Sequence, residues 1–315
     1  MEKMKAVVYH KKGSPDKLIY SEIEKPQPND DEVLIKTMAV SVNAADYRSM
    51  HFGIIPKNRI FGADIAGKVE SVGKNIRQFK PGDEVIGELY GCGYGGFAQY
   101  TVAPEKALAV KPAKLSFEEA AALPLAAITA LQALRDKGNV KRGQKVLIVG
   151  SSGGVGPYAV QLARYFEAEV TAVCSTRNIE LTLSLGAQSI IDYTKEDFTK
   201  SDKRYDLIIA INGNYPLSAY KRLLNKEGIY VMVGGAMVQI FKSLLFGKLM
   251  SLGSKKMLTL TARSNQKDLE LISKLAQEGK IWPVIESRYA LDKAAEAMRY
   301  AAEGHARGKV VITVE

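Results

Sequence analysis

Lys145 to Phe166, KVLIVGSSGGVGPYAVQLARYF, decides how this chain is read. After the leading lysine, four apolar β-branched or leucine residues predict a strand buried on both faces, the pattern of a parallel sheet. Small residues follow from Gly150, and a helical pattern begins near Gly154. Gly150, Gly153 and Gly156 are spaced G-x-x-G-x-x-G rather than G-x-G-x-x-G. Such a turn lets backbone approach a pyrophosphate while free N–H groups and the positive helix end face the anion. An ordinary strand-to-helix turn could use the same glycines for steric reasons alone. The context favours the nucleotide: a second strand, VTAVC, ends at Cys174, about twenty residues after the turn begins. Ser152, Gly153, Gly154 and Val155 therefore join Gly150 and Gly156 as candidate cofactor contacts.

Outward from this stretch, apolar runs alternate with helical periods from Gln144 to about Ala262, through LIIA (207–210) and IYVMV (229–233). That alternation predicts a doubly wound parallel sheet with right-handed crossovers. The first third reads differently. Met4–Tyr9, Glu32–Val42, Asp64–Val72, Glu84–Gly87 and Phe97–Val102 predict short strands with Gly- or Pro-rich joints. Ser116 followed by Glu118 and Glu119 marks a helix start, and Glu119–Leu134 is dense in Ala and Leu. The tail has strand patterns near Ile285 and Val310 flanking a helical stretch, Leu291–Ala302. The expected class is α/β: a Rossmann-type domain (126–263) inserted into a mostly β domain built from 1–125 and completed by 264–315.

Of 315 residues, 46% are hydrophobic, enough to bury the cores of two domains. The net charge of +10 suits anionic ligands, membranes or nucleic acid alike. The lysines are spread without a zinc finger or aromatic RNA-binding signature, which argues against nucleic acid. Two cysteines, Cys92 and Cys174, supply neither a disulfide framework nor a zinc-ribbon spacing, and no signal peptide is evident, so the expected location is cytoplasmic.

An acidic residue where the second strand ends would hold the ribose hydroxyls of NAD. This chain has Cys174-Ser175-Thr176-Arg177 there. Ser175 can donate to a 2′-phosphate and Arg177 can make a charge-assisted bond to it, so NADPH is the expected cofactor. The alternative for Arg177 is a solvated position at a helix start.

With SVNAADYRSM, FGADIAGKVESVGKNIRQFKPGDEVIG, GYGGFAQYTVA, AAALPLAAITALQAL, LGAQSIIDY and GHARGKVVITV added to the glycine turn, the chain resembles the medium-chain dehydrogenase/reductase superfamily. Within it, the likeness is to the zinc-free quinone oxidoreductase and alkenal reductase group, over nearly the whole length. The resemblance implies a GroES-like β domain formed by both chain ends, a Rossmann domain between them, and an active site in the cleft. Zinc-dependent members place a cysteine and a His-Glu pair where this chain has Asn43 and Ala63-Asp64, so no zinc is expected. The implied reaction is hydride transfer from a nicotinamide to a quinone, or to the carbon–carbon double bond of an α,β-unsaturated carbonyl. The substrate is then a small lipophilic electrophile and the assembly a homodimer. An enoyl-thioester reductase and a non-catalytic NADPH-binding sensor are the competing readings.

By the same resemblance, Asn43 and Thr129 lie beside the nicotinamide and Tyr193 beside the adenosine phosphate. Asn212, Val233-Gly234-Gly235 and Arg307-Gly308-Lys309 close around the nicotinamide half. Asn43 could instead tie down its own turn, and Thr129 could bond back to its own helix. Tyr47 and His51 follow Asn43 in what reads as a loop, and either could donate to substrate; Tyr47 is also a candidate pocket wall, and His51 a solvated residue. Asp46 reads as a brace for the Asn43 turn.

One further segment stands apart. Between Ala236 and Leu260, MVQIFKSLLFGKLMSLGSKKML mixes large apolar residues with Lys242, Lys248, Lys255 and Lys256 and contains no acidic residue. As a helix it is either core, pocket or dimer packing, or an interfacial face for peripheral membrane contact.

Overall fold

The computed structural model describes residues 2–10, 13–304 and 306–315, and Lys248 by its backbone alone. The chain divides into two units: residues 1–128 with 263–279 and 283–315, and residues 129–262 with 280–282.

In the first unit β1 (Lys3–Tyr9) and β2 (Leu18–Glu24) form an antiparallel hairpin. β3 (Glu32–Val42) leads into helix α1 (Ala44–His51), and β4 (Asp64–Val72), β5 (Glu84–Glu88), β6 (Tyr100–Pro104) and β7 (Leu108–Val110) follow. Ile35 of β3 and Ile65 of β4 meet in one core with Tyr9, Phe61 and Phe97. Burying a large side chain of this kind stabilises the fold by about 1.5–3 kcal/mol. Helix α2 (Phe117–Ala121) starts as its sequence signals: Ser116 accepts from the Glu119 N–H, and the Glu119 carboxylate accepts from the Ser116 N–H. The helix expected over Glu119–Leu134 is broken, because Pro124 lacks the N–H that would continue it. α3 (Pro124–Gln132) restarts there and ends in a widened turn, where Gly138 N–H donates to Ala133 at 2.8 Å.

The second unit carries β8 (Lys145–Val149), α4 (Gly156–Tyr165), β9 (Glu169–Cys174), α5 (Ile179–Ser184), β10 (Ser189–Asp192) and β11 (Tyr205–Ala210). α6 (Leu217–Leu223), β12 (Leu224–Met232), α7 (Met237–Met250) and β13 (Lys256–Thr259) complete it. The sheet order is β10-β9-β8-β11-β12-β13, every pair parallel. Chain direction across the sheet reverses between β8 and β11, and open α/β sheets bind ligands at the carboxyl ends of strands at such a reversal.

The return segment adds α8 (Gln266–Gln277), β14 (Ile285–Ala290), α9 (Ala294–Ala302) and β15 (Lys309–Thr313). β15 pairs antiparallel with the second half of β3, whose first half pairs with β6. Both chain ends thus build one sheet, and the pairing carries Lys309 to the end of β3 where Asn43 lies.

Candidate active site

Gly150 ends β8 with φ +86°, a conformation that strains any residue with a Cβ, and a Cβ there would lie 2.9 Å from Asn212 Cβ. Gly156 is held tighter still: its added carbon would meet Gly150 O at 2.3 Å and Ser151 O at 2.5 Å. Gly153 is different. It is half-buried, yet an added Cβ would find nothing within 4 Å. No carbonyl among the described residues accepts from the backbone N–H groups of Ser152, Gly153, Gly154 or Val155. The turn therefore leaves open space beside uncommitted donors at the positive end of α4, the requirement for cradling a pyrophosphate.

Neighbouring strand ends converge on this turn. Ile211 and Asn212 N–H groups both donate to Val149, Val233 and Gly234 N–H groups both donate to Ala210, and Gly213 N–H donates to Gly234 at 3.0 Å. Gly150, Asn212, Val233, Gly234 and Gly235 thus share one edge of the sheet. On the other side Asn178 ties the turn to the end of β9, donating to Ser152 Oγ at 2.9 Å and Ser175 Oγ at 3.1 Å. The Arg177 and Tyr193 side chains are exposed at that edge. The neighbouring Asp192 carboxylate accepts from the Thr176 and Thr194 hydroxyls, which hold it below the usual carboxylate range. Sequence reading missed Asn178 and Asp192; neither carries a motif, since their roles come from how β9 and β10 align.

In the first unit, the residues after β3 build a buried polar cluster. The expected loop from Asn43 is helix α1, because the Asp46 carboxylate accepts from the Asn43 N–H at 2.8 Å and from the Gly62 N–H at 3.0 Å. Asp46 braces the turn, and an Asp three residues after an Asn was the readable signal. The Asn43 amide turns away from the helix. Its NH2 donates to Ser41 O at 3.2 Å and Asp64 Oδ2 at 2.8 Å, and its Oδ1 accepts from Lys309 Nζ at 2.5 Å. Both N–H donors of the Asn43 amide are thus engaged within the protein, with Ser41 and Asp64. The Lys309 side chain is 3% exposed and packed inside this cluster.

Asp64 is fully buried and accepts from Ser41 Oγ, Asn43 and the Leu125 N–H, with Lys309 Nζ 3.7 Å away. Burial drives the Asp64 carboxyl up and the Lys309 ammonium down, and their mutual attraction opposes both shifts. Glu88, opposite Asp64 across β4 and β5, was not foreseen. Burial first, and Asp64 second, push its carboxyl up to about 8, and its Oε2 has no hydrogen-bond partner among the described residues. Asp46 is pushed by burial to about 7. Asp46 and Asp64 share the Lys309 ammonium while Glu88 faces only other carboxyls, so burial favours the protonated forms across this cluster.

The remaining candidates are placed as follows. Tyr47 is half-buried against the first unit's core, and burial raises its phenol. His51 is exposed, its ring edge-on to Phe52. Thr129 is half-buried on α3, where the second unit begins. Gly308 has φ +105°, and an added Cβ would lie 2.3 Å from Val284 O; the Arg307 N–H donates to Glu286 at 2.7 Å. Among the described residues, no cluster of three or more His, Cys, Asp or Glu side chains could hold a metal ion.

Residues 29–113 match the alcohol dehydrogenase GroES-like domain family, and residues 185–312 the family described as zinc-binding dehydrogenase. A chloroplastic quinone oxidoreductase of Triphysaria versicolor is 36% identical over 325 residues, covering 98% of each chain. The NADPH-dependent alkenal/one oxidoreductase of Arabidopsis thaliana chloroplasts is 32% identical, over 99% of this chain and 80% of its own. The solved structure of the quinone oxidoreductase from Coxiella burnetii matches with a TM-score of 0.89 at 29% identity, covering 100% of both chains.

Proposed function

The chain belongs to the medium-chain dehydrogenase/reductase superfamily, in its zinc-free quinone and alkenal reductase group, and on that premise we propose that it transfers a hydride from NADPH to a quinone or to the double bond of an α,β-unsaturated carbonyl. The observation that carries this reading is the open space at Gly153 beside four uncommitted N–H groups, at the point where the sheet order reverses. A bound reduced nicotinamide supplies the hydride.

The chain's own residues take the following roles in this proposal. Gly150, Ser152, Gly153, Gly154, Val155 and Gly156 hold the pyrophosphate. Ser175 and Arg177 hold the 2′-phosphate, a role helped by the absence of an acidic side chain at the end of β9 and by the engagement of Asp192 with two threonines. The name of the Arabidopsis relative agrees with NADPH. In the first unit the Lys309 ammonium lies between Asn43 Oδ1 and Asp64 Oδ2, two of the residues that stand where the resemblance places the cysteine and His-Glu pair of zinc-dependent members. That supports zinc-independent chemistry on an acceptor already electrophilic, with the proton drawn from solvent. Asn43 is a positioning residue that ties β3, α1 and β15 together.

Two free cysteines, one of them buried, suit a cytoplasmic location. The family resemblance supports a homodimer as the assembly. The test of the reaction is isotopic: with NADPH deuterated at C4 of the nicotinamide and a short enal, the label should appear on the β-carbon of the saturated product. Label in solvent alone, or on the carbonyl carbon, overturns the proposal.

A further inference from the structure

Helix α7 is built inside out. Its sheet-facing stripe consists of Ile240, Ser243, Gly247, Met250 and, just beyond the helix, Ser251; Ser243 is 2% exposed. Small polar atoms make that contact: Ser243 Oγ lies 2.7 Å from Thr259 Oγ1, and Ser251 Oγ accepts from the Met257 N–H at 2.8 Å. An added Cβ at Gly247 would lie 2.9 Å from Met257 O, so the helix rests directly on the β13 backbone. The large apolar side chains point the other way. Phe241 is 62% exposed, Leu245 73% and Leu249 63%, with Val238, Leu244 and Leu252 also exposed. An ordinary surface helix buries such residues and shows polar ones to water; a run this large on an outer face marks a contact surface.

The charge around the face selects its occupant. From Gly228 to Ala262 the sequence contains no Asp or Glu, while Lys242, Lys248, Lys255 and Lys256 all fall within it. Lys242 and Lys256 are exposed, and the charged groups acting on Lys255 are Arg204 and Lys221, both cations. A second copy docked here about a two-fold axis would set these lysines against themselves with no carboxylate to answer them. An anionic lipid surface answers both features, because its acyl boundary takes the apolar side chains and its headgroups take the ammonium groups. No helix described here is long and apolar enough to cross a membrane. We propose that the outer face of α7 docks the protein on the surface of an anionic lipid bilayer.

The test is co-sedimentation of the full chain with vesicles of phosphatidylcholine alone or with about a third phosphatidylglycerol, at low and at high salt. The proposal expects binding to the anionic vesicles, weakened by salt, and little to the neutral ones. Phe241→Gln/Leu245→Gln/Leu249→Gln should reduce it tenfold or more while leaving NADPH binding intact, since all three side chains are exposed and Gln is a good helix former. Lys242→Gln/Lys256→Gln should weaken binding to anionic vesicles by about fivefold per charge. Absence of wild-type binding at low salt overturns the proposal. So does a triple variant that still binds vesicles, or one that converts a dimer in solution to monomers, which would make the face a contact between copies.

Discussion

Two alanine substitutions in the glycine turn should fail in opposite ways. At Gly156 the new methyl would lie 2.3–2.5 Å from Gly150 O and from Ser151 C and O, all backbone atoms that cannot swing aside. Overpacking costs about 1–3 kcal/mol, and a rigid neighbour places this case near the upper end. For a chain of this size that lowers Tm by roughly 5 °C in the absence of cofactor. At Gly153 nothing lies within 4 Å and φ is not positive, so alanine is neutral or gains up to about 1 kcal/mol from a less flexible unfolded chain. Its methyl instead enters the space assigned to the pyrophosphate, where the same overpacking range weakens NADPH by roughly 5- to 150-fold. Thermal unfolding of the cofactor-free proteins and fluorescence titration with NADPH read the two effects separately. Gly153→Ala with unchanged affinity would refute the placement of the pyrophosphate; Gly156→Ala with unchanged Tm would refute the tight turn.

The buried cluster makes further predictions. Glu88 has an ordinary value of 4.5 raised to about 8 in the fold, so between those values the folded state holds a proton that the unfolded chain has released. Stability should therefore fall as pH rises through that window, by up to about 1.4 kcal/mol per pH unit, and level off above it. Glu88→Gln should match wild type near pH 5 in denaturant unfolding and exceed it near pH 9. Lys309→Met strands Asp64 as a buried carboxyl without its cation, at a cost of about 3–5 kcal/mol that should be larger at pH 8.5 than at pH 5.5. Adding Asp64→Asn should recover most of that loss. Arg177→Ala should raise the Kd for NADPH by roughly tenfold or more, the value of a charge-assisted hydrogen bond, and leave NADH unchanged in parallel titrations.

Much of this molecule is legible in its residues because the physics is local. VLIV (146–149) is apolar at consecutive positions, as only a strand covered on both faces tolerates, and the glycines mark where backbone must approach backbone. Ser116 and Glu119 announce a helix start, and they form one. Pro124 was equally visible, and its missing N–H breaks the helix that the Ala and Leu content suggested. What escaped depends on register. The Glu88 carboxyl is raised first by burial and then by Asp64, which β4 and β5 set opposite it, and Lys309 becomes the cluster's cation because β15 lies against β3. No spacing along the chain encodes either. The outward face of α7 was readable only as a choice between core and surface, since composition fixes which residues are apolar and not which way the helix turns them.

The most direct measurement is NADPH oxidation by purified, chelator-treated protein, followed optically with a quinone, a short enal, an enoyl thioester and a simple aldehyde, and with NADH in parallel. Turnover of the quinone or the enal, preference for NADPH, and full activity after chelation are expected. Activity lost on chelation and restored by zinc would contradict metal-free chemistry, preference for the thioester would make the protein an enoyl-thioester reductase, and tight NADPH binding without turnover of any acceptor would make it a sensor.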